Sequence, residues 1–174
     1  CLGAREFAGF IYWATQSRMH RIAIANADDS WASVSLDWDV FTVTDNEFHP
    51  MAEQDLRLFT GDGNQVHSIT ASGVTNRNAW DIKTPLRIKT MIDYEIDLLV
   101  GTFINDAVNK AAIIRWDTIS PSWNVSDMIE ENGINAFLRD DNYVYAQAGR
   151  NGNLYFYNGE KLVPFKRVPG IYLG

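Results

Sequence analysis

The chain has 174 residues, a formal net charge of −7 and a single cysteine, Cys1, so no disulfide can form within it. At 46% hydrophobic and 13% aromatic it does not have a disordered composition. Lysine and arginine form no cluster of the kind phosphate contacts require, and no run of 18 apolar residues offers a membrane-spanning helix, so neither nucleic-acid binding nor membrane insertion is expected.

Segments rich in β-branched and aromatic residues follow one another along the chain, split by turn residues. Phe10–Thr15 and Met19–Ala25 make the first pair of strands. Trp31–Leu36 alternates cleanly and makes a further strand, whereas Cys1–Glu6 contains no convincing one. Asp37–Pro50 is the longest connection without a firm assignment. A weak strand falls within Phe48–Ala52, where Pro50 favours an edge or an irregular segment. Leu56–Thr60 and Val66–Thr70 flank a hairpin loop, Gly61-Asp62-Gly63-Asn64, and Trp80 follows.

Leu86–Ile92, a turn at Asp93-Tyr94-Glu95 and Ile96–Thr102 begin a third group. Asn105-Asp106 lies in a longer loop, Ala111–Trp116 is the next strand, and Trp123 opens another after Ser120-Pro121-Ser122. Val125–Glu131 is the one segment suited to a turn or two of helix. Ile134–Leu138, Tyr143–Ala148, Asn153–Tyr157 and Leu162–Lys166 form the last group. Asn151-Gly152 and Asn158-Gly159 supply hairpin turns, because both residue types tolerate positive φ.

The pattern is therefore a repeat. An apolar strand, a polar turn, a second strand and an aromatic recur four times, closing on Trp31, Trp80, Trp123 and Phe165 at intervals of roughly 40–50 residues. Strand repeats of that period make propeller blades, which bury their apolar faces only by stacking on neighbours. The fold expected is all-β: a β-propeller of about four four-stranded blades, near 1–42, 43–85, 86–130 and 131–170. It is either closed by itself or part of a larger propeller. The four aromatics are expected to pack between blades.

Ala112-Ile113-Ile114-Arg115-Trp116-Asp117 with Ser122-Trp123, and Asn153-Leu154-Tyr155-Phe156-Tyr157-Asn158-Gly159, resemble kelch-type β-propeller blades. The double glycine of kelch repeats is absent. Trp-Asp occurs as Trp38-Asp39, Trp80-Asp81 and Trp116-Asp117. The stretch from Ile113 to Gly170 also resembles tail-associated structural proteins of tailed bacteriophages. That resemblance implies a structural and binding module of a virion or other extracellular assembly.

Chemistry-bearing motifs are sparse. Thr60-Gly61-Asp62-Gly63 begins like the hairpin of a sialidase blade, but Asn64 and His67 depart from it. His20, His49 and His67 have no metal-ligand spacing, and no nucleophile elbow or phosphate loop occurs. The connections and hairpin loops of one rim carry Asp37, Asp39, Asp45, Asp62, Asp106, Asp127 and Glu130, together with Arg150. These are the candidate binding residues. Converging carboxylates could hold Ca²⁺ or attract a basic partner, though a solvated acidic face explains them more simply. No cofactor is otherwise implied.

The function expected is non-catalytic. Rim loops would contact protein subunits of the same assembly or a host surface glycan, in an oligomer or a longer chain. The alternatives are a sialidase- or glycoside-hydrolase-like enzyme and an intracellular protein-interaction scaffold. The lack of an initiator Met and a last segment, Gly170–Gly174, resembling the start of another strand lead to the expectation of a piece of something longer.

Overall fold

The computed structural model describes residues 3–15, 18–26, 37–42, 48–82, 84–104, 110–123, 125–140 and 143–167. They form sixteen strands in four antiparallel sheets of four. The first sheet is β1 (Gly3–Phe7), β2 (Phe10–Ala14), β3 (Arg18–Ala23) and β4 (Asp37–Thr42). The second is β5 (Met51–Gln54), β6 (Arg57–Asp62), β7 (Gln65–Thr70) and β8 (Thr75–Asp81). The third is β9 (Arg87–Tyr94), β10 (Asp97–Phe103), β11 (Ala112–Trp116) and β12 (Val125–Met128). The fourth is β13 (Ile134–Asp140), β14 (Tyr143–Ala148), β15 (Asn153–Tyr157) and β16 (Leu162–Arg167). Among the described residues, helix is limited to a 3₁₀ turn at Ile24–Asn26.

Strand order within every sheet follows the chain, so each sheet is a meander built from local hairpins. Three placements differ from the sequence reading. Gly3–Phe7 is a strand because Phe7 is buried and the segment pairs along its length with β2, which its polar residues concealed. The strand that pairs with β3 is Asp37–Thr42, within the stretch read as a connection. Trp31–Leu36 lies outside the described residues. Val125–Met128 pairs with β11, so ladder hydrogen bonds override its helical composition.

The sheets pack face to face in sequence. Phe7, Tyr12, Ala14 and Met19 of the first meet Met51, Leu58 and Ile69 of the second. Ala52, Phe59, Val66 and Trp80 of the second meet Ile88, Leu98, Val100 and Trp116 of the third. Leu99 and Ile113 of the third meet Val144, Ala146 and Tyr157 of the fourth. Neighbouring residues Leu58 and Phe59, and Leu98 and Leu99, thus serve opposite seams, as the period of two requires. The inner strands touch in succession, β1 on β5, β5 on β9 and β9 on β13. The approach is close enough that a Cβ on Gly101 would lie 2.6 Å from Thr90 Cγ2 and 2.8 Å from Ile134 Cγ2. No comparable packing joins β13 back to β1 among the described residues.

The β11–β12 turn is held by Asp117. Its carboxylate accepts the Ile119 and Ser120 amides at 2.9 and 2.7 Å and the Ser120 hydroxyl at 2.6 Å. The turn then offers the Ser120 carbonyl to the Trp116 indole N–H at 2.7 Å. The Ser120 bonds hold Asp117 below its ordinary pKa of 3.8. A depressed carboxylate stabilises the fold above the unfolded-state value, and that stability is lost as pH falls through the folded-state value. Asp117→Ala is therefore expected to lower the urea midpoint at pH 7. The gap from wild type should close as pH drops below 3.8.

Candidate functional site, a polar pocket on the rim

The β14–β15 hairpin, the β12–β13 connection and the chain entering β5 meet around a pocket of about 400 Å³. Phe48, Lys89, Asn132, Asn135, Gln147 and Arg150 line it, with Gly149 and Gly152. The centre is Lys89, near the start of β9. Its ammonium lies 5.1 Å from the Phe48 ring and 5.9 Å from that of Phe103, and those two rings meet edge to face at 5.7 Å. It donates to Asn135 Oδ1 at 2.7 Å. Asn135 in turn donates from Nδ2 to the Gly149 carbonyl at 2.8 Å, tying the lysine to the loop that carries Arg150.

Burial lowers the Lys89 pKa, because the ammonium exchanges part of its water for two rings and one amide oxygen. Phe48 remains 47% exposed and offers a ring face or edge to solvent. The loop itself requires glycine at 149. Its φ is +68°, and a Cβ there would lie 1.8 Å from Glu131 Oε2. Glu131 also accepts from the Asn153 side-chain amide, which fixes the base of the hairpin. The result is a recess with two cations, three carboxamides and an aromatic ring. No carboxylate lines it among the described residues.

Of the candidate binding residues that are described, Arg150 alone lines this pocket. Asp62, read as a rim carboxylate, is turned inward and only 5% exposed. The reason is hydrogen bonding. His67 Nδ1 accepts the Asn78 amide at 3.0 Å, so Nε2 carries the proton and faces Asp62 Oδ2 at 3.3 Å. His49, fully buried, donates from Nδ1 to the Gly61 carbonyl at 3.1 Å and lies 3.9 Å from Asp62. Asp127 accepts the Leu162 amide at 2.9 Å and so links the third and fourth sheets. Glu130 is exposed and pairs with Lys110. Asp37 and Asp39 belong to β4, and their side chains, like Asp45, Asp106 and Trp31, lie outside the described residues. Among the described residues no three His, Cys, Asp or Glu side chains are placed to hold a metal ion.

The repeated aromatics occupy different environments. Trp80 is buried and stacks on Trp116 at 4.8 Å, and Trp123 meets Trp80 edge-on at 6.0 Å. Phe165 is instead 61% exposed and touches Tyr145 at 5.4 Å, because its sheet has no neighbour on that side within the described chain. Lys89 and Asn135 carry no motif. The signal that could have found them is their position: each stands near the start of an inner strand, on the rim already singled out.

No family model and no curated protein matches the sequence. Solved structures do match. The computationally designed Ika4 protein has 11% identity and a TM-score of 0.60, over 95% of this chain and 91% of Ika4. The designed Ika8 protein has 14% identity and a TM-score of 0.61, over 95% of this chain and 49% of Ika8. A protein of unknown function from Bacteroides caccae has 11% identity and a TM-score of 0.57, over 88% of this chain and 55% of that one. The chain thus spans nearly all of the first and about half of the other two. Together with the four meandering sheets stacked in chain order, these likenesses give the chain an all-β, propeller-like fold.

Proposed function

We propose that this protein is a non-catalytic binding and structural module of an extracellular assembly, such as a virion or its tail, and that its rim pocket takes acidic surface glycans. The observation that carries this reading is the Lys89 arrangement. A cation held by two rings and Asn135 sits beside Arg150 and further carboxamides. Carboxamides and a ring suit the hydroxyls and C–H faces of a sugar, while Lys89 and Arg150 suit a carboxylate or sulfate. Outside the sialidases, which use a tyrosine nucleophile, glycoside hydrolysis ordinarily uses a pair of carboxylates flanking the scissile bond, and the described lining supplies none. The resemblance of the stretch from Ile113 to Gly170 to tail-associated structural proteins of tailed bacteriophages supports a role in a particle.

Binding to a panel of immobilised glycans tests this. Uronic and sialic acid glycans should be retained and neutral ones not. Lys89→Met should weaken retention by about tenfold, the loss of one charge-assisted contact. Retention should also fall as pH rises through the Lys89 pKa, which burial sets below the ordinary 10.5, because only the ammonium attracts the anion. Turnover of a fluorogenic glycoside, abolished by a pocket substitution, would establish the enzyme reading instead.

A further inference from the structure

We propose that the rim opposite the pocket is a protein-docking surface, and that it takes a partner segment in which apolar side chains alternate with lysine or arginine. The proposal is independent of what the pocket binds. Each sheet is a meander, so its first–second and third–fourth turns lie at the end away from the hairpin that carries Arg150. Side chains join these turns from sheet to sheet. Gln54 donates to the Glu95 carbonyl at 3.3 Å, and Arg57 donates to Thr118 Oγ1 at 3.0 Å. Arg139 reaches Asp93, and Arg115 approaches the Gly159 carbonyl at 3.5 Å.

The tips of this rim are apolar. Ile119, Ile96 and Leu56 are 82%, 78% and 77% exposed, more than any other large hydrophobic residue described. Turn chemistry does not ask for them. Asp55 and Leu56 both hold positive φ, +50° and +55°, in a two-residue hairpin whose ordinary filling is Asn-Gly. A leucine there carries left-handed strain and gives its side chain to water, with no buried area in return. Ile96 and Ile119 each follow a residue with positive φ, Glu95 at +53° and Thr118 at +64°. Three strained turns on one rim, each lifting a leucine or isoleucine into solvent, present contact residues rather than turn formers.

Charge selects the partner. Asp55 pairs with Arg57 and Glu95 with Arg115, but the two members of each pair lie at different depths. The carboxylate side chains are 71% and 61% exposed, the arginine side chains 26% and 21%. Arg57 is drawn in over the Phe59 ring at 5.1 Å, and Arg115 is drawn in by buried Asp97. Arg139 and Asp93 are exposed alike, and Glu160 and Lys161 offset each other in the β15–β16 turn. Among the described residues, what faces outward around the apolar tips is therefore acidic. It repels a surface of anionic lipid and attracts a basic, apolar protein segment.

Retention of the 174-residue chain on immobilised peptides tests this. The probe is an alternating Lys-Leu peptide, with Glu-Leu and Lys-Ser peptides of equal length as controls. The Lys-Leu peptide should bind, the controls should not, and binding should weaken as salt rises. Leu56→Asn, Ile96→Asn and Ile119→Asn combined should weaken it about 100-fold. Met128→Asn, at an exposed apolar residue at the end of β12 away from these turns, should leave it unchanged. Leu56→Asn alone should weaken binding about tenfold and raise the urea midpoint, because asparagine tolerates positive φ, whereas a leucine kept for the fold would lower the midpoint on removal. No retention of the Lys-Leu peptide at ~1 mM overturns the proposal. So does equal retention of the Glu-Leu peptide, binding indifferent to the triple substitution, or a Leu56→Asn midpoint below wild type. A chain that ignores the peptide but sediments with phosphatidylcholine vesicles, and no longer does so with the triple substitution, would make the rim a membrane contact instead.

Discussion

Trp116→Ala is expected to destabilise the protein by about 3–5 kcal/mol, the range for removing a buried indole from a core. Trp116 ends β11 and is 1% exposed. Its ring stacks on Trp80 at 4.8 Å with planes 10° apart and takes Phe59 edge-on at 5.6 Å. The stack bridges the second and third sheets, so its loss opens a cavity in the seam rather than at a sheet margin. Neighbouring strands cannot collapse into it without breaking ladder register. The freed Ser120 carbonyl also loses its indole donor. Trp123→Ala should cost less, about 1–2 kcal/mol, because that ring is only half-buried. Urea unfolding measures both. The midpoint should fall with little change in slope if the four sheets unfold together.

Asp97→Ala is expected to cost about 2–3 kcal/mol, through the arginine it leaves behind rather than through the carboxylate removed. Asp97 is buried and accepts from Arg115 Nε. Arg115 also donates to Glu95 at 2.9 Å, approaches the Gly159 carbonyl at 3.5 Å and lies 5.3 Å from the Tyr94 ring. It therefore holds the third sheet to the β15–β16 turn of the fourth. Burial opposes its charge, but the Asp97 hydrogen bond and the charges of Asp97 and Glu95 outweigh that and raise its pKa. Without Asp97 the burial cost stays and the principal partner is gone. Asp97→Ala with Arg115→Met should be milder than the sum of the two single changes, because the double variant leaves no uncompensated charge. Equal single and double costs measured by urea unfolding would place the effect elsewhere.

What the sequence made legible was whatever is local. Hairpins at Gly61–Asn64 and Gly149–Gly152 follow from turn chemistry, because glycine there reaches positive φ without strain. Pairs such as β14 and β15 follow from alternation across a short loop. β1 and β12 were hidden because their residues, Gly-Ala-Arg-Glu-Phe and Val-Ser-Asp-Met, are strands only by virtue of their partners. The pocket was hidden for the same reason on a larger scale. Phe48, Lys89, Asn135 and Arg150 come from four separate stretches, and only the stacking of sheets brings them to one rim. Sequence drew attention to the carboxylates instead. Asp62 shows why that misleads: a hairpin-loop carboxylate can turn inward when two histidines lie behind it.

The rim pocket is the centre of the functional account, and an amide NMR titration of the 174-residue chain with glucuronic acid and with glucose tests it most directly. Saturable shifts are expected for glucuronic acid at Gly149, Arg150, Gly152 and Asn135, none for glucose, and none for either sugar in a Lys89→Met, Arg150→Met variant that keeps its fold. Equal responses to both sugars, or glucuronic acid shifts that persist in that variant, would contradict it.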